Sequence, residues 1–211
     1  MKVFIVDYGL GNLFSVRRAV EVSGVSDIEI GTDPMRLAAA DRVILPGVGA
    51  FKDGMAGLSA AGFVPAVRAY AAAGRPLLGI CLGMQMLLDG SNEFGQTGGL
   101  GLIPGRVVAI DRLRADGTRR KLPSIGWAGL QPASPWKGSI LCNLSPGTPV
   151  YFLHSFHAQP TDPADLLASY DHQGARVTAA VRRGAITGTQ FHPEKSGPVG
   201  LGIIAAFLNG A

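Results

Sequence analysis

Cys81 lies in Leu77-Leu78-Gly79-Ile80-Cys81-Leu82-Gly83-Met84-Gln85, with a glycine on each side two residues from the thiol. The spacing predicts an apolar strand, a sharp turn at the cysteine and a helix starting just beyond it, a geometry that presents a nucleophile at the end of a sheet. A helix N-terminus favours negative charge, and the thiolate is the reactive form of cysteine. Far down the chain, Gly188-Thr189-Gln190-Phe191-His192-Pro193-Glu194 supplies an imidazole and a carboxylate. Pro193 interrupts the strand there, which lets His192 and Glu194 turn toward one cleft. These residue types suit cleavage of an amide, a poor electrophile that needs an activated nucleophile and donors aimed at the developing oxyanion. Cys81 is the candidate nucleophile. His192 is the candidate base, able to take the thiol proton and later protonate departing ammonia. Glu194 is the acid that holds the imidazole in the useful tautomer.

A second turn, Pro46-Gly47-Val48-Gly49, follows another apolar run. Its glycines allow close backbone approach, which makes the amides of Val48 and Leu82 candidate oxyanion donors. The turn lacks the downstream Gly-Lys-Ser/Thr of a phosphate loop. The histidines are His154, His157, His172 and His192. His154-x-x-His157 has no matched cysteine or carboxylate set, so no metal site is expected.

Strand–helix alternation must position these groups. Val3 to Val6, Ile28 to Ile30, Arg42 to Leu45 and Leu77 to Cys81 read as strands. Leu13 to Val22 has helical spacing, Asp33-Pro34 fits a helix start, and a helix over Val64 to Ala73 is stopped by Gly74. Beyond Gly101 the pattern changes to short alternating runs: Arg106 to Leu113, Pro149 to Phe156, Leu166 to Tyr170, Val177 to Val181 and Ile186 to Gln190. Gly200 to Leu208 reads as a closing helix. The expectation is an α/β fold: an open, mostly parallel sheet flanked by helices, with antiparallel extension strands. No repeat or long linker divides residues 1–211, and one domain is expected.

The chain has 211 residues, 47% hydrophobic and 16% charged, which is enough to build a full core. Its net charge is +4, but the basic residues are scattered. The densest groups, Arg119-Arg120-Lys121 and Arg182-Arg183, read as solvated strand ends without interleaved aromatics, and no nucleic-acid partner is expected. No apolar run reaches membrane-spanning length. There are two cysteines, Cys81 and Cys142. No secretory segment precedes Lys2, so a reducing, cytoplasmic setting is expected and Cys142 is read as buried packing.

Taken in order along the chain, these motifs resemble the class I (triad) glutamine amidotransferases. More narrowly, they resemble the HisH-type glutaminase subunits of imidazole glycerol phosphate synthase. The runs that carry the resemblance are Asp7 to Leu13, Pro46 to Phe51, Gly79 to Gln85, Gly99 to Gly105, Gly126-Trp127, Tyr151 to Ser155 and Gly188 to Gly197. The resemblance implies a Cys81–His192–Glu194 triad that forms a γ-glutamyl thioester and releases ammonia, then glutamate. It places Val48 at the oxyanion. Gly49, Gln85, Glu93 and the backbone around His154, Ser155 and Phe156 would bind glutamine, with Glu93 meeting the α-amino group. It implies no cofactor. The implied partner is a (β/α)₈-barrel cyclase subunit of the HisF type in a heterodimer, with Asn12, Trp127 and Lys195 at the interface. Ammonia would pass through that barrel for synthesis of imidazole glycerol phosphate and aminoimidazole carboxamide ribonucleotide. Ser124 stands where the family commonly has histidine, Ala128 where it has asparagine, and Phe156-His157 where it has two aromatics. Alternative readings are a triad subunit serving a different acceptor synthase and a non-catalytic scaffold.

Overall fold

Val3 and Ile5 belong to one apolar cluster and Phe4 and Val6 to another, and all four are fully buried. Successive strand residues point to opposite faces, so a run apolar at every position belongs to a sheet covered on both sides. In the computed structural model, which describes residues 1–210, this strand is β1 (Lys2–Val6). It is followed by α1 (Leu13–Val22), β2 (Asp27–Gly31), a 3-10 turn (Pro34–Ala39) and β3 (Arg42–Gly47). Next come α2 (Phe51–Ala60), α3 (Phe63–Ala72), β4 (Leu77–Cys81), α4 (Leu82–Met86), β5 (Leu88–Ser91), β6 (Thr97–Gly98) and β7 (Ile103–Ala109). The second half holds β8 (Ser124–Gly129), β9 (Gln131–Pro132), β10 (Pro149–His154), β11 (Phe156–Pro160), β12 (Leu166–His172), β13 (Ala175–Arg183) and β14 (Ile186–Thr189). A 3-10 turn (Pro193–Lys195) and α5 (Gly197–Leu208) complete it.

The main sheet is eight-stranded in the order β2-β1-β3-β4-β14-β13-β12-β9. Pairing is parallel from β2 through β14 and antiparallel from β14 to β9. One face is covered by α1 and α5 through Val16, Val20, Ile203, Ile204 and Phe207, the other by α2 and α3 through Phe51, Leu58, Phe63 and Val67. The expected α/β fold with antiparallel extension is present. Two smaller sheets stand beside it: β10 with β8, and β11-β7-β5-β6.

Several local expectations change. The run Pro149 to Phe156 is not one strand: it breaks at Ser155, where the chain leaves β8 for β7. The strand expected over Arg106 to Leu113 stops at Ala109, and Leu113 instead bridges Arg119. Helix α2 was not anticipated, because Gly54 and Gly57 lower helix propensity. Their missing side chains have a packing use: a Cβ at Gly54 would lie 2.8 Å from Leu82 and one at Gly57 3.1 Å from the Tyr8 carbonyl. Arg120 is buried rather than solvated. Its guanidinium donates to the carbonyls of Asp111, Leu113 and His172 and ties the ends of that loop together. Cys142 is exposed rather than packed, because it lies in a surface turn after Ile140-Leu141, whose side chains take the buried positions. No helix among the described residues is long and apolar enough to cross a membrane.

Candidate active site

Strands β3, β4 and β14 are parallel neighbours, so their C-terminal ends share one edge. Gly47 pairs with Cys81 there, which sets the Val48 loop beside the cysteine. Open α/β sheets bind ligands at this edge. Here it opens into a cleft of about 490 Å³ lined by Val48, Gly49, Cys81, Leu82, Gln85, Glu93, His154, Ser155, Phe156 and His192, among others. The cleft thus unites the expected nucleophile, base, oxyanion candidates and glutamine-binding candidates.

Cys81 is the turn the sequence predicts. Its backbone has φ 56° and ψ −111°, a left-handed conformation that costs a non-glycine residue about 1–3 kcal/mol. The flanking glycines leave room for it. A Cβ on Gly79 would come within 2.8 Å of the Gly83 and Met84 backbone, and one on Gly83 would collide with the Leu45 carbonyl. The helix that follows is shorter than expected. α4 has 5 residues before the chain enters β5, so little macrodipole accumulates behind the sulfur. Positive charge comes instead from His192.

His192 Nδ1 lies 2.8 Å from Glu194 Oε1, both side chains almost fully buried. The carboxylate accepts, so Nδ1 carries a proton and Nε2 is the nitrogen left for Cys81. Burial alone would lower the His192 pKa. Hydrogen bonding and charge from Cys81 and Glu194 outweigh it and raise the imidazole from 6.5 to about 10. The backbone fixes the ring's position, since His192 N–H donates to Tyr151 O at 2.9 Å and Ser196 Oγ donates to His192 O at 2.7 Å. Glu194 Oε2 has no partner among the described residues.

Gln85 is 5% exposed, and its Nε2 donates both to Phe156 O and to Gln190 Oε1, each at 3.0 Å. Glu93 lines the cleft; its Oε2 accepts the Phe51 amide at 2.8 Å, capping α2, and its second oxygen is left without that bond. The His154 side chain is already committed. Nδ1 donates to Phe156 O at 2.8 Å, Nε2 lies 2.7 Å from the Tyr170 hydroxyl, and burial pushes the imidazole down to about 3. Only its backbone remains for a ligand. The Phe156 carbonyl is likewise filled by two donors.

Of the interface candidates, Trp127 is 58% exposed and packs edge-on against Tyr151 at 6.1 Å. It shares one face of the β8–β10 ribbon with exposed Ile125 and Leu153, because Trp127 pairs with Tyr151 and Ile125 with Leu153. Asn12 precedes α1 and exposed Lys195 sits in the Pro193–Lys195 turn, which contacts both α1 and β10. The three candidates therefore lie on adjoining elements.

Residue-by-residue reading missed three contributors. Tyr8 donates its hydroxyl to Pro46 O at 3.0 Å and anchors the loop before Val48. Arg112 lines the cleft from the loop that Arg120 ties down. Gln190, fully buried, reaches Cys81 Sγ with its Nε2 at 3.8 Å. Tyr8 and Gln190 both lie inside motifs that stand out in the sequence, but nothing local shows which way their side chains point.

An α/β sheet with a buried Cys–His–Glu set at its C-terminal edge defines a thiol-dependent acyl-transfer enzyme. The chain belongs to the class-I glutamine amidotransferase family, whose model matches residues 5–209. It is similar to "Imidazole glycerol phosphate synthase subunit HisH 1" of Legionella pneumophila (strain Lens), 47% identical over 209 residues that cover 98% of each chain. It is also similar to the imidazole glycerol phosphate synthase subunit HisH of Lacticaseibacillus casei (strain BL23), 45% identical over 97% of this chain and 94% of the relative. Among solved structures, a glutamine amidotransferase crystal structure superposes with a TM-score of 0.73 at 18% identity, covering 98% of this chain and 97% of the other. PurLQS from Thermotoga maritima gives 0.73 at 20% identity, covering 99% and 97%. At those identities the structural likeness speaks to fold.

Proposed function

We propose that this chain is the glutaminase subunit of an imidazole glycerol phosphate synthase, hydrolysing glutamine to glutamate and ammonia for histidine biosynthesis. The observation that carries the chemistry is the buried His192–Glu194 pair acting on Cys81 in a cleft that also holds Gln85 and Glu93. The Cys81 thiolate attacks the side-chain amide carbon, and the carbonyl oxygen gains charge that the amides of Val48 and Leu82 stabilise. The imidazolium of His192 gives its proton to the departing nitrogen, ammonia leaves, and a γ-glutamyl thioester remains on Cys81. His192, now neutral, takes a proton from water. The hydroxide formed attacks the thioester and releases glutamate and the thiolate. Glu93 pairs with the substrate ammonium through its free oxygen, Gln85 offers its side-chain oxygen, and Gly49 with the backbone of His154, Ser155 and Phe156 bounds the carboxylate side.

The ammonia is passed to a HisF-type (β/α)₈-barrel cyclase subunit. That partner docks over Trp127, with Asn12 and Lys195 beside it, in a cytoplasmic heterodimer. Residues 1–211 act as one domain. Support comes from the full-length relatives and from the exposed apolar ribbon face next to the cleft. The test uses Cys81→Ala in complex with a purified cyclase. Glutamine-dependent formation of imidazole glycerol phosphate should vanish, while synthesis from added ammonia should stay within about twofold of wild type. Loss of both activities in an intact complex would refute this division of labour.

A further inference from the structure

We propose that Gln190 is a neutral hydrogen-bond donor to the Cys81 sulfur, and that its orientation is imposed from the Phe156 carbonyl through Gln85. A carbonyl oxygen only accepts, so the Gln85 atom 3.0 Å from Phe156 O is its NH₂. That same nitrogen lies 3.0 Å from the Gln190 side chain, so the Gln190 atom facing it is the oxygen. The remaining Gln190 atom, 3.8 Å from Cys81 Sγ, is then the NH₂, which donates and does not accept. Turning the Gln190 amide over would set NH₂ against NH₂ at Gln85 and a carbonyl oxygen against a thiolate. Both contacts are repulsive inside a site where Gln190 is fully buried. The backbone reinforces the arrangement, since Gln190 N–H donates to Ala179 O at 2.8 Å on β13.

The inference rests on Cys81 being the nucleophile of the proposed reaction. A fixed N–H aimed at sulfur strengthens as the sulfur ionises, because the bond becomes charge-assisted. It thus lowers the free energy of thiolate over thiol without itself titrating. It also acts on the reacting atom when the thiolate leaves the thioester at the end of the cycle. The titratable and charged groups around the sulfur are His192 and Glu194 from the Pro193 turn, Tyr8 from the loop after β1, His154 from β10, and Glu93 and Arg112 across the cleft. Gln190 adds an uncharged donor to that set. The same chain of contacts uses both N–H bonds of Gln85 and leaves its side-chain oxygen as the acceptor for substrate.

The test titrates the thiol itself, by thiolate absorbance and iodoacetamide alkylation against pH, in a Cys142→Ser background where Cys81 is the remaining cysteine. Gln190→Met removes the donor without adding charge, and the ionisation midpoint should rise by about half a pH unit. Gln190→Glu keeps an oxygen for Gln85 but turns an acceptor toward sulfur, and the midpoint should rise by about one unit or more. Thermal melts establish folding of each variant; should Gln190→Met fail to fold, Gln190→Leu, which also removes the donor without adding charge, takes its place. A residue that only fills space would lower the melting temperature and leave the midpoint in place, and that result overturns the proposal. So does a rise seen with folded Gln190→Glu but absent from folded Gln190→Met, because added charge alone would account for it. None of these readings needs glutamine turnover. The glutaminase assignment fails separately, if the wild-type complex releases no glutamate.

Discussion

His192 holds its proton against burial, and Glu194 is one of the two groups that let it. The folded ring keeps the proton up to about pH 10, whereas the unfolded chain releases it near 6.5. The sign follows: this contribution to stability is complete below about pH 6.5 and is lost as pH rises through about 10. Glu194→Gln keeps the side-chain shape and removes the charge. The imidazole midpoint should then fall toward 6.5, and the alkaline limit of stability with it, both readable by NMR titration and by melts across pH. A midpoint that stays put would show that Glu194 orients the ring without acting on its charge. The proposed triad was legible in the sequence because each member announces its chemistry by type, and His192 and Glu194 sit two residues apart. Gln190 lies in the same run, yet its use depends on Gln85 of α4, 105 positions away, and on the Phe156 carbonyl of β11. Contacts of that range leave no local trace.

Elements place these residues through a few close backbone approaches. Gly83 is the sharpest case, since a Cβ there would meet the Leu45 carbonyl of central strand β3. Backbone in the middle of a sheet cannot yield as a flexible side chain can. Gly83→Ala should therefore destabilise the fold by roughly 1–3 kcal/mol, a drop of about 2–4 °C in melting temperature per kcal/mol. Gly98→Ala, with nothing within 4 Å of its Cβ, is the control and should change stability by less than about 0.5 kcal/mol. Equal melts for the two would refute the close approach. The parallel half of the sheet was readable because β1, β3 and β4 carry apolar runs and strands there alternate with helices. The antiparallel half was read less well. At Ser155 the chain passes between two small sheets without a glycine or proline to mark the change, and α2 hides behind glycines kept for packing.

For the whole molecule, the exposed face of the β8–β10 ribbon is the feature that folding leaves unfinished. Trp127, Ile125 and Leu153 stay open to solvent beside the cleft. Trp127→Ala should leave the melting temperature of the isolated chain nearly unchanged, because the indole covers little of the core. Its affinity for the proposed cyclase partner should fall by about 30-fold, equivalent to about 2 kcal/mol for a central aromatic anchor. Titration calorimetry on the purified pair reads this, and an unaltered affinity would move the docking face elsewhere. Tryptophan beside glycine was visible in the sequence. The family resemblance put it at an interface, whereas periodicity alone would turn it inward, because Ile125 and Trp127 are the large apolar residues of β8 and both lie on its exposed face.

Cys81, the Val48 loop and His192 stand at one end of three neighbouring parallel strands, and the opposite end of those strands carries none of them. Ammonia set free there is a nucleophile only until water protonates it. The reactive form therefore has a single shore from which to depart, and a receiver berthed on the far side of the sheet would draw on a pool that is mostly ammonium.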